Sequence, residues 1–212
     1  MSSSVPAQPE RRLVLAGLAA AAAWPAHAAR ARLVVMLGDS ITAGYGLAAG
    51  QALPVRLEAE LARIGAPAQV INAGRSGDTT ATAAARAARA APADADLVVV
   101  AVGGNDLLNG VAPDAVQENL DRIVRTLLAR RQTVVLAGVR LPLLLGDYAV
   151  AFNDAFARVA RAHRLLFLPD LLAGVALNPD LNQDDMIHPN ARGVAVIARR
   201  LAPLVAKGLA AR

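Results

Sequence analysis

Serine and histidine are scarce in this 212-residue sequence outside its first 28 residues. Beyond them the only serines are Ser40 and Ser76, and the only histidines are His163 and His188. Cysteine is absent from the sequence, which excludes a thiol nucleophile and a disulfide framework. A hydroxyl nucleophile needs a base that takes its proton and a carboxylate that orients the base. The few candidates can therefore be sorted by where the fold would place them.

The first candidate nucleophile, Ser40, directly follows an apolar run in the stretch RLVVMLGDSITAGYG. A strand that ends in Gly-Asp-Ser has two interpretations. Either Asp39 and Ser40 cap the next helix, or Ser40 is a nucleophile at a helix amino terminus, where the dipole favours an incipient alkoxide. The second serine, Ser76, lies inside a loop and precedes Gly77, whose backbone N–H can approach a substrate closely because it has no side chain.

The candidate base, His188, lies in NQDDMIHPN, after the last predicted strand and before the last predicted helix. Asp185 precedes it by three residues, so its carboxylate can reach Nδ1 of the imidazole. The alternative is that Asp185 caps the last helix and His188 is an exposed loop residue. His163 ends a helix before the fifth strand, on the amino side of the sheet, and we expect it to be a surface or helix-terminal histidine.

The elements that must position these residues are visible as a regular alternation. Five continuous apolar runs predict strands that are covered on both faces, at 32–37, 68–72, 96–102, 132–139 and 164–170. Helical spacing of apolar residues lies between and after them, at 53–64, 79–90, 114–130, 148–162 and 190–205. This alternation predicts an α/β fold with a doubly wound five-stranded parallel sheet in a three-layer sandwich.

Polar, glycine-rich segments follow the first three predicted strands, where ligands bind in such sheets. The third of them, Gly-Gly-Asn-Asp at 103–106, presents the amide donor of Asn105. Together with the backbone N–H groups of Ser40 and Gly77, this amide could converge on one oxyanion. The alternative is that Asn105 and Asp106 only satisfy backbone groups of a turn.

The composition limits the kinds of partner that we expect this protein to bind. Apolar residues make up 55% of the chain and aromatic residues only 3%, so alanine, leucine and valine must fill the core. The net charge of +5 comes from arginines scattered along the predicted helices, without interleaved aromatic residues to stack on bases. We therefore do not expect nucleic-acid binding.

Residues 1–28 predict an export signal. Arg11 and Arg12 precede the apolar stretch LVLAGLAAAAAW, and Ala-His-Ala at 26–28 matches a cleavage site. The two arginines also resemble a twin-arginine signal, and the alternative is a buried N-terminal helix. We expect a mature single domain, 29–212, in the periplasm or secreted, with no membrane insertion after the signal is removed.

Taken together, the motifs resemble those of the SGNH (GDSL-type) hydrolase family. The resemblance spans roughly residues 30–206 and is carried by GDSI, by Gly77, by GND and by DMIHP. More narrowly, the sequence is similar to the bacterial periplasmic thioesterase, lysophospholipase and arylesterase branch. The stretches behind this similarity are NAGRSGDTT, GGNDLLNG, RLPLLLGDYAVAFNDAF and QDDMIHPN.

The resemblance implies a flavodoxin-like strand order and a role for each motif residue. Ser40 would be the nucleophile, His188 the base and Asp185 its orienting carboxylate, with an oxyanion hole from Ser40, Gly77 and Asn105. The implied substrate is a small-molecule acyl ester or thioester, with no metal or organic cofactor required, and we expect a monomer.

The sequence departs from the family pattern at two places, one of which affects packing and the other the substrate. Ile41 stands where the family has leucine, which changes packing and no catalytic role. The loop at 140–150 carries Leu143, Leu144 and Leu145, which we expect to border the substrate groove together with Leu107 and Leu108.

Other functional classes fit the sequence less well. A metal-dependent phosphoesterase needs several histidines in one cluster, and only His188 is suitably placed. A receiver domain needs a lysine after its last strand, and Lys207 lies too far along the chain. A non-catalytic periplasmic binding module would keep the cleft but would not need the Ser-His-Asp set.

Overall fold

The structure, a computed structural model, describes Met1 and residues 30–211. The chain divides into two units, Met1–Arg30 and Ala31–Arg212, and every element below lies in the second. Apart from Met1, the predicted export signal at 1–28 lies outside the described residues. Within the part of the chain that is described, no helix has the length and apolar character needed to cross a membrane.

Five parallel strands form one sheet in the order β2-β1-β3-β4-β5. They are β1 (Arg32–Gly38), β2 (Ala68–Gly74), β3 (Leu97–Ala101), β4 (Thr133–Ala137) and β5 (Leu166–Leu168). This is the predicted flavodoxin-like order, so the α/β, doubly wound fold is confirmed. The strand β1 lies between β2 and β3, which places the segment after it at the point where the strand order reverses.

Seven α-helices occur in the described residues, six of them between strands and the seventh after the last strand. They are α1 (Ser40–Ala43), α2 (Leu53–Arg63), α3 (Thr80–Ala90), α4 (Gly104–Leu108), α5 (Pro113–Ala129), α6 (Asp147–Ala162) and α7 (Ala191–Ala210). Successive side chains of a strand point to opposite faces. Accordingly, Val34 and Met36 pack with α2 and α7, while Val35 and Leu37 pack with α3, α5 and α6.

The structure differs from the predicted boundaries chiefly at α1, α4, β5 and α7, and the other ends shift by at most two residues. A helix that begins at Ser40 was expected, but neither α1 nor α4 was among the predicted helical ranges, because four or five residues are too few to show a helical period. β5 is shorter than predicted, since Arg164 has a left-handed φ of 52° and Pro169 has no N–H to donate. α7 continues to Ala210 past the internal Pro203.

Glycines end β1 and β2 because α1 passes directly over them. A Cβ atom on Gly38 would lie 2.1 Å from Oγ1 of Thr42, and one on Gly74 would lie 2.3 Å from the backbone nitrogen of Ala43. Only glycine leaves room for this approach. The close packing holds the first residue of α1, Ser40, against the carboxyl edge of the sheet.

Candidate active site

Ser40 occupies the first position of α1, and the residue before it caps the helix. Oδ1 of Asp39 accepts the N–H of Ile41 at 3.1 Å, and Gly44 ends the helix with a left-handed φ of 88°. Hence the capping interpretation holds for Asp39, and it leaves the Ser40 hydroxyl available for another contact.

A line of hydrogen bonds joins Ser40 to His188 and Asp185. Oγ of Ser40 lies 2.9 Å from Nε2 of His188, and Nδ1 of His188 lies 2.6 Å from Oδ2 of Asp185. The other carboxylate oxygen of Asp185 accepts the backbone N–H groups of Ile187 and His188, both at 2.9 Å. Asp185 does not cap α7; the side chain of Asn190 does so. The sequence therefore selected three side chains that the fold brings together.

The turn that carries Asp185 and His188 is closed at its base. The N–H of Gln183 donates to the carbonyl of His188 at 2.8 Å, and Asn182 and Pro189 form an isolated antiparallel bridge. Met186 adopts a left-handed φ of 58°, which is uncommon for a residue with a side chain. This conformation lets two consecutive N–H groups, those of Ile187 and His188, reach one carboxylate oxygen.

The electrostatics of the two acids differ. The pKa of Asp185 is lowered to about 2, first by the backbone N–H of His188, then by the His188 imidazole and the N–H of Ile187. Burial raises the pKa of Asp39 to about 6, against the opposing effect of the Ile41 N–H and the nearby His188. Asp185 is thus a carboxylate throughout the neutral range, whereas Asp39 titrates close to it.

His163 lies at the opposite edge of the sheet. It caps the carboxyl end of α6, and its Nε2 lies 2.6 Å from Oδ1 of Asp121 on α5. This histidine therefore joins two helices on the amino side of β5.

The three predicted oxyanion donors follow three different strands. Nδ2 of Asn105 donates one hydrogen to the carbonyl of Asp78 at 2.9 Å, which leaves its second hydrogen available. The Ser40 N–H lies in the first turn of α1, where a helix leaves N–H groups without intrahelical partners. Gly77 has a left-handed φ of 85°, and its N–H makes no hydrogen bond within residues 30–211.

An apolar cavity of about 230 Å³ opens beside Ser40, Asn105 and His188. Leu107 and Leu108 line it as predicted from their position, and Gly77 is not among its lining residues. The predicted groove residues Leu143, Leu144 and Leu145 do not line it. They form an exposed 3₁₀ turn between Pro142 and the start of α6.

One part of the cavity lining, its far wall, was not predicted from the sequence. It is built by Leu171, Leu172, Ala176 and Leu177, which follow β5, and by Ile187 of the histidine turn. The signal was present, since these residues also follow the carboxyl end of a strand. They are apolar, however, and a search for polar chemistry passes over them.

Comparison with known proteins places the site in a family. Residues 36–196 match the GDSL-like Lipase/Acylhydrolase family. Esterase TesA of Pseudomonas aeruginosa is 37% identical over 181 residues, which cover 84% of this chain and 90% of that protein. Thioesterase 1/protease 1/lysophospholipase L1 of Escherichia coli K12 is 34% identical over 185 residues, with coverages of 84% and 88%. The crystal structure of TesA superposes with a TM-score of 0.78 at 33% identity and covers 84% of this chain and 100% of its own.

These matches identify both the class of activity and the family. The protein is an enzyme with carboxylic ester hydrolase activity. The chain belongs to the GDSL-like Lipase/Acylhydrolase family, the SGNH hydrolases that its motifs resemble.

Proposed function

We propose that the protein hydrolyses esters or thioesters by two-step acyl transfer, with Ser40 as the nucleophile, His188 as the base and Asp185 as its orienting carboxylate. The observation that carries this proposal is the continuous hydrogen-bonded line Asp185–His188–Ser40 at 2.6 and 2.9 Å. Both distances lie within the reach that proton transfer between side chains requires. The line ends at a cavity in which an acyl group can bind.

The residues perform distinct steps. Oγ of Ser40 attacks the carbonyl carbon while Nε2 of His188 takes the hydroxyl proton. Asp185, ionised because its pKa is about 2, holds the ring through Nδ1 and stabilises the imidazolium. When the tetrahedral intermediate collapses, His188 gives its proton to the leaving alcohol or thiol. A water molecule activated by His188 then hydrolyses the acyl-serine.

The oxyanion of the intermediate would be held by the N–H groups of Ser40 and Gly77 and by Nδ2 of Asn105. The available second hydrogen of Asn105 and the N–H of Gly77, which has no partner within residues 30–211, support this role. Loss of one such donor reduces kcat by about 10²–10³-fold in comparable sites.

The apolar cavity favours a short or medium acyl chain. Its volume of about 230 Å³ is small, and its far wall is aliphatic. A longer chain would have to extend over Leu108, Leu177 and Ile187, which are exposed by 62%, 74% and 48% at its border. The names of the relatives, an esterase and a thioesterase/lysophospholipase, support both oxygen and sulfur esters as substrates.

The mechanism is tested by hydrolysis of p-nitrophenyl esters from acetate to palmitate and of acyl-CoA thioesters. The wild type should be active and insensitive to EDTA, and Ser40→Ala should be inactive. Activity that survives in Ser40→Ala would reject the serine mechanism, and activity that EDTA abolishes would support a metal-dependent site in its place.

The acyl site is tested by two matched leucine substitutions. Leu177→Asp should shift the chain-length optimum to shorter esters, because Leu177 lines the cavity. Leu144→Asp, in the 3₁₀ turn, should not, since Leu144 is 86% exposed and lies outside that lining. A shift in Leu144→Asp alone would instead assign the acyl site to the leucine turn.

We further propose that residues 1–28 direct export of the protein. The dibasic start, the apolar stretch and the Ala-His-Ala site support this role. Mass spectrometry of protein recovered from the periplasm of a bacterial host should find the amino terminus at Ala29, and full-length protein confined to the cytoplasm would reject the proposal.

A further inference from the structure

The side chain of Arg86 on α3 reaches the carboxyl ends of two strands at once. Its Nη2 donates to the carbonyl of Gly38 at 3.1 Å and to the carbonyl of Ala73 at 2.9 Å. Gly38 is the last residue of β1, and Ala73 is the last but one of β2. One guanidinium group therefore joins the strand that leads to Ser40 to the strand that leads to Gly77.

The same guanidinium group is paired with a buried acid. Nε of Arg86 lies 2.5 Å from Oδ2 of Asp78, and Oδ1 of Asp78 accepts the hydroxyl of Thr82 at 3.0 Å. Only 14% of the Arg86 side chain and 4% of the Asp78 side chain are exposed. Asp78 follows Gly77 directly, and its carbonyl accepts Nδ2 of Asn105 at 2.9 Å. Through Asp78, Arg86 is connected to two of the three proposed oxyanion donors.

A buried ion pair is an expensive way to stabilise a fold, because both charges lose their hydration. The contacts of Arg86 use the planar, forked geometry of a guanidinium, which a lysine ammonium does not reproduce. All three acceptors of Arg86, the carbonyls of Gly38 and Ala73 and the carboxylate of Asp78, lie at the edge of the sheet where the proposed nucleophile sits. This arrangement indicates that the position of the guanidinium group matters as well as its charge.

We propose that Arg86 is a positioning residue of the oxyanion hole. It fixes the segments that carry Ser40 N–H, Gly77 N–H and Asn105 Nδ2 relative to one another and does not touch the substrate. The inference rests on the proposed function, in which these three groups bind the oxyanion. Such donors accelerate a reaction because they are already aligned when the charge develops.

The experiment compares kcat and KM of Arg86→Met and Arg86→Lys with those of Arg89→Met. Arg89 is a matched control, since it is an exposed arginine on the same helix. Arg86→Met should lower kcat by up to about 10²-fold with little change in KM, as expected when aligned groups are displaced by about 1 Å. Arg86→Lys should be intermediate, and Arg89→Met should match the wild type.

Arg86→Met leaves the Asp78 carboxylate buried and unpaired, which can prevent folding. The double variant Asp78→Asn/Arg86→Met removes both charges and provides a folded alternative. Thermal unfolding of each variant separates a loss of folded protein from a loss of kcat.

A double-mutant cycle of Arg86 and Asn105 tests whether Arg86 acts through the oxyanion donors. If Arg86 acts through the donors, its substitution should cost much less in the Asn105→Ala background than in the wild type. Equal losses in both backgrounds, or a change in KM or stability alone, would overturn the inference. Ser40→Ala keeps the two questions apart: an active Ser40→Ala rejects the proposed function, whereas an inactive Ser40→Ala with additive Arg86 effects rejects only the positioning role.

Discussion

Two histidine–aspartate pairs with the same 2.6 Å separation lie at opposite edges of the sheet. At the carboxyl edge, His188 contacts Asp185 with one ring nitrogen and Ser40 with the other. At the amino edge, His163 contacts Asp121 of a neighbouring helix, and Asp121 is also paired with Arg125. The pairs share their chemistry and differ in the third group. A histidine–carboxylate contact is therefore not evidence of catalysis until a nucleophile adjoins it.

Replacement of each histidine by alanine gives the largest expected contrast. His188→Ala should lower kcat by about 10⁴–10⁶-fold, because the serine loses its base. His163→Ala should leave kcat unchanged and only weaken the contact between α5 and α6, a partly exposed pair worth about 1 kcal/mol or less. Ester hydrolysis and urea unfolding of both variants measure the contrast. A comparable loss of kcat in both variants would show that the two pairs were wrongly separated.

Replacement of the carboxylates tests orientation and charge. Asp185→Asn should lower kcat by on the order of 10⁴-fold, because an amide can stabilise the wrong imidazole tautomer and does not stabilise the imidazolium. Asp121→Asn is the matched control and should retain kcat. Steady-state kinetics of both proteins at neutral pH decide the matter, and full activity of Asp185→Asn would remove Asp185 from the mechanism.

The buried acid Asp39 also lies at the carboxyl edge of the sheet. We expect it to make the stability of the protein depend on pH, unlike Asp121 at the amino edge. The pKa of Asp39 rises from 3.8 to about 6 on folding, so the native state favours the protonated form. The stability linked to this group is complete below about pH 3.8 and declines as the pH rises through about 6, by up to about 3 kcal/mol.

Asp39→Asn removes this dependence and keeps a side chain that can cap α1. Its free energy of unfolding should equal that of the wild type near pH 4 and exceed it near pH 8. Urea titrations at the two pH values measure the difference, with Asp121→Asn as the control at the other edge. Equal stabilities of Asp39→Asn and wild type at both pH values would contradict the raised pKa.

The smallest expected effect concerns the ring that lies against the imidazole of the proposed base, His188. The ring centroids of Tyr45 and His188 are 4.5 Å apart, with planes tilted by 36°. An aromatic face stabilises the imidazolium that forms during proton transfer by about 1 kcal/mol, or about fivefold in kcat. Tyr45→Phe should retain this effect on kcat, and Tyr45→Leu should lose it. Identical kcat values for Tyr45→Phe and Tyr45→Leu would reject a role of the Tyr45 ring in catalysis.

Much of the site was predictable because its parts are local in sequence. Continuous apolar runs identify buried parallel strands, and chemistry in such sheets lies after the strands. That rule alone separates His188 from His163 and places Ser40, Gly77 and Asn105 at one edge. The turn around Asp185 needs only three residues to bring a carboxylate to an imidazole.

The parts that were not predictable depend on side chains that meet only in three dimensions. Nothing in the sequence marks Arg86 among twenty-one other basic residues as the one that bridges β1 and β2. The leucines at 143–145 resemble a lining by composition, yet the loop that carries them turns them to the surface. The wall formed by Leu171 and Leu177 depends on a loop whose path has no periodic signature.

One contact in the hydrogen-bonded line spans 148 residues, from Ser40 to His188. A ribosome-bound chain that has been synthesised through β4 already contains the nucleophile and all three proposed oxyanion donors, but it has no base. Hydrolytic activity would therefore begin only after the turn at 182–190 has been made and has docked on the segment following the first strand. The proposed role of His188 thus delays catalysis until all five strands have been synthesised, and a nascent chain that ends before this turn lacks the proposed base.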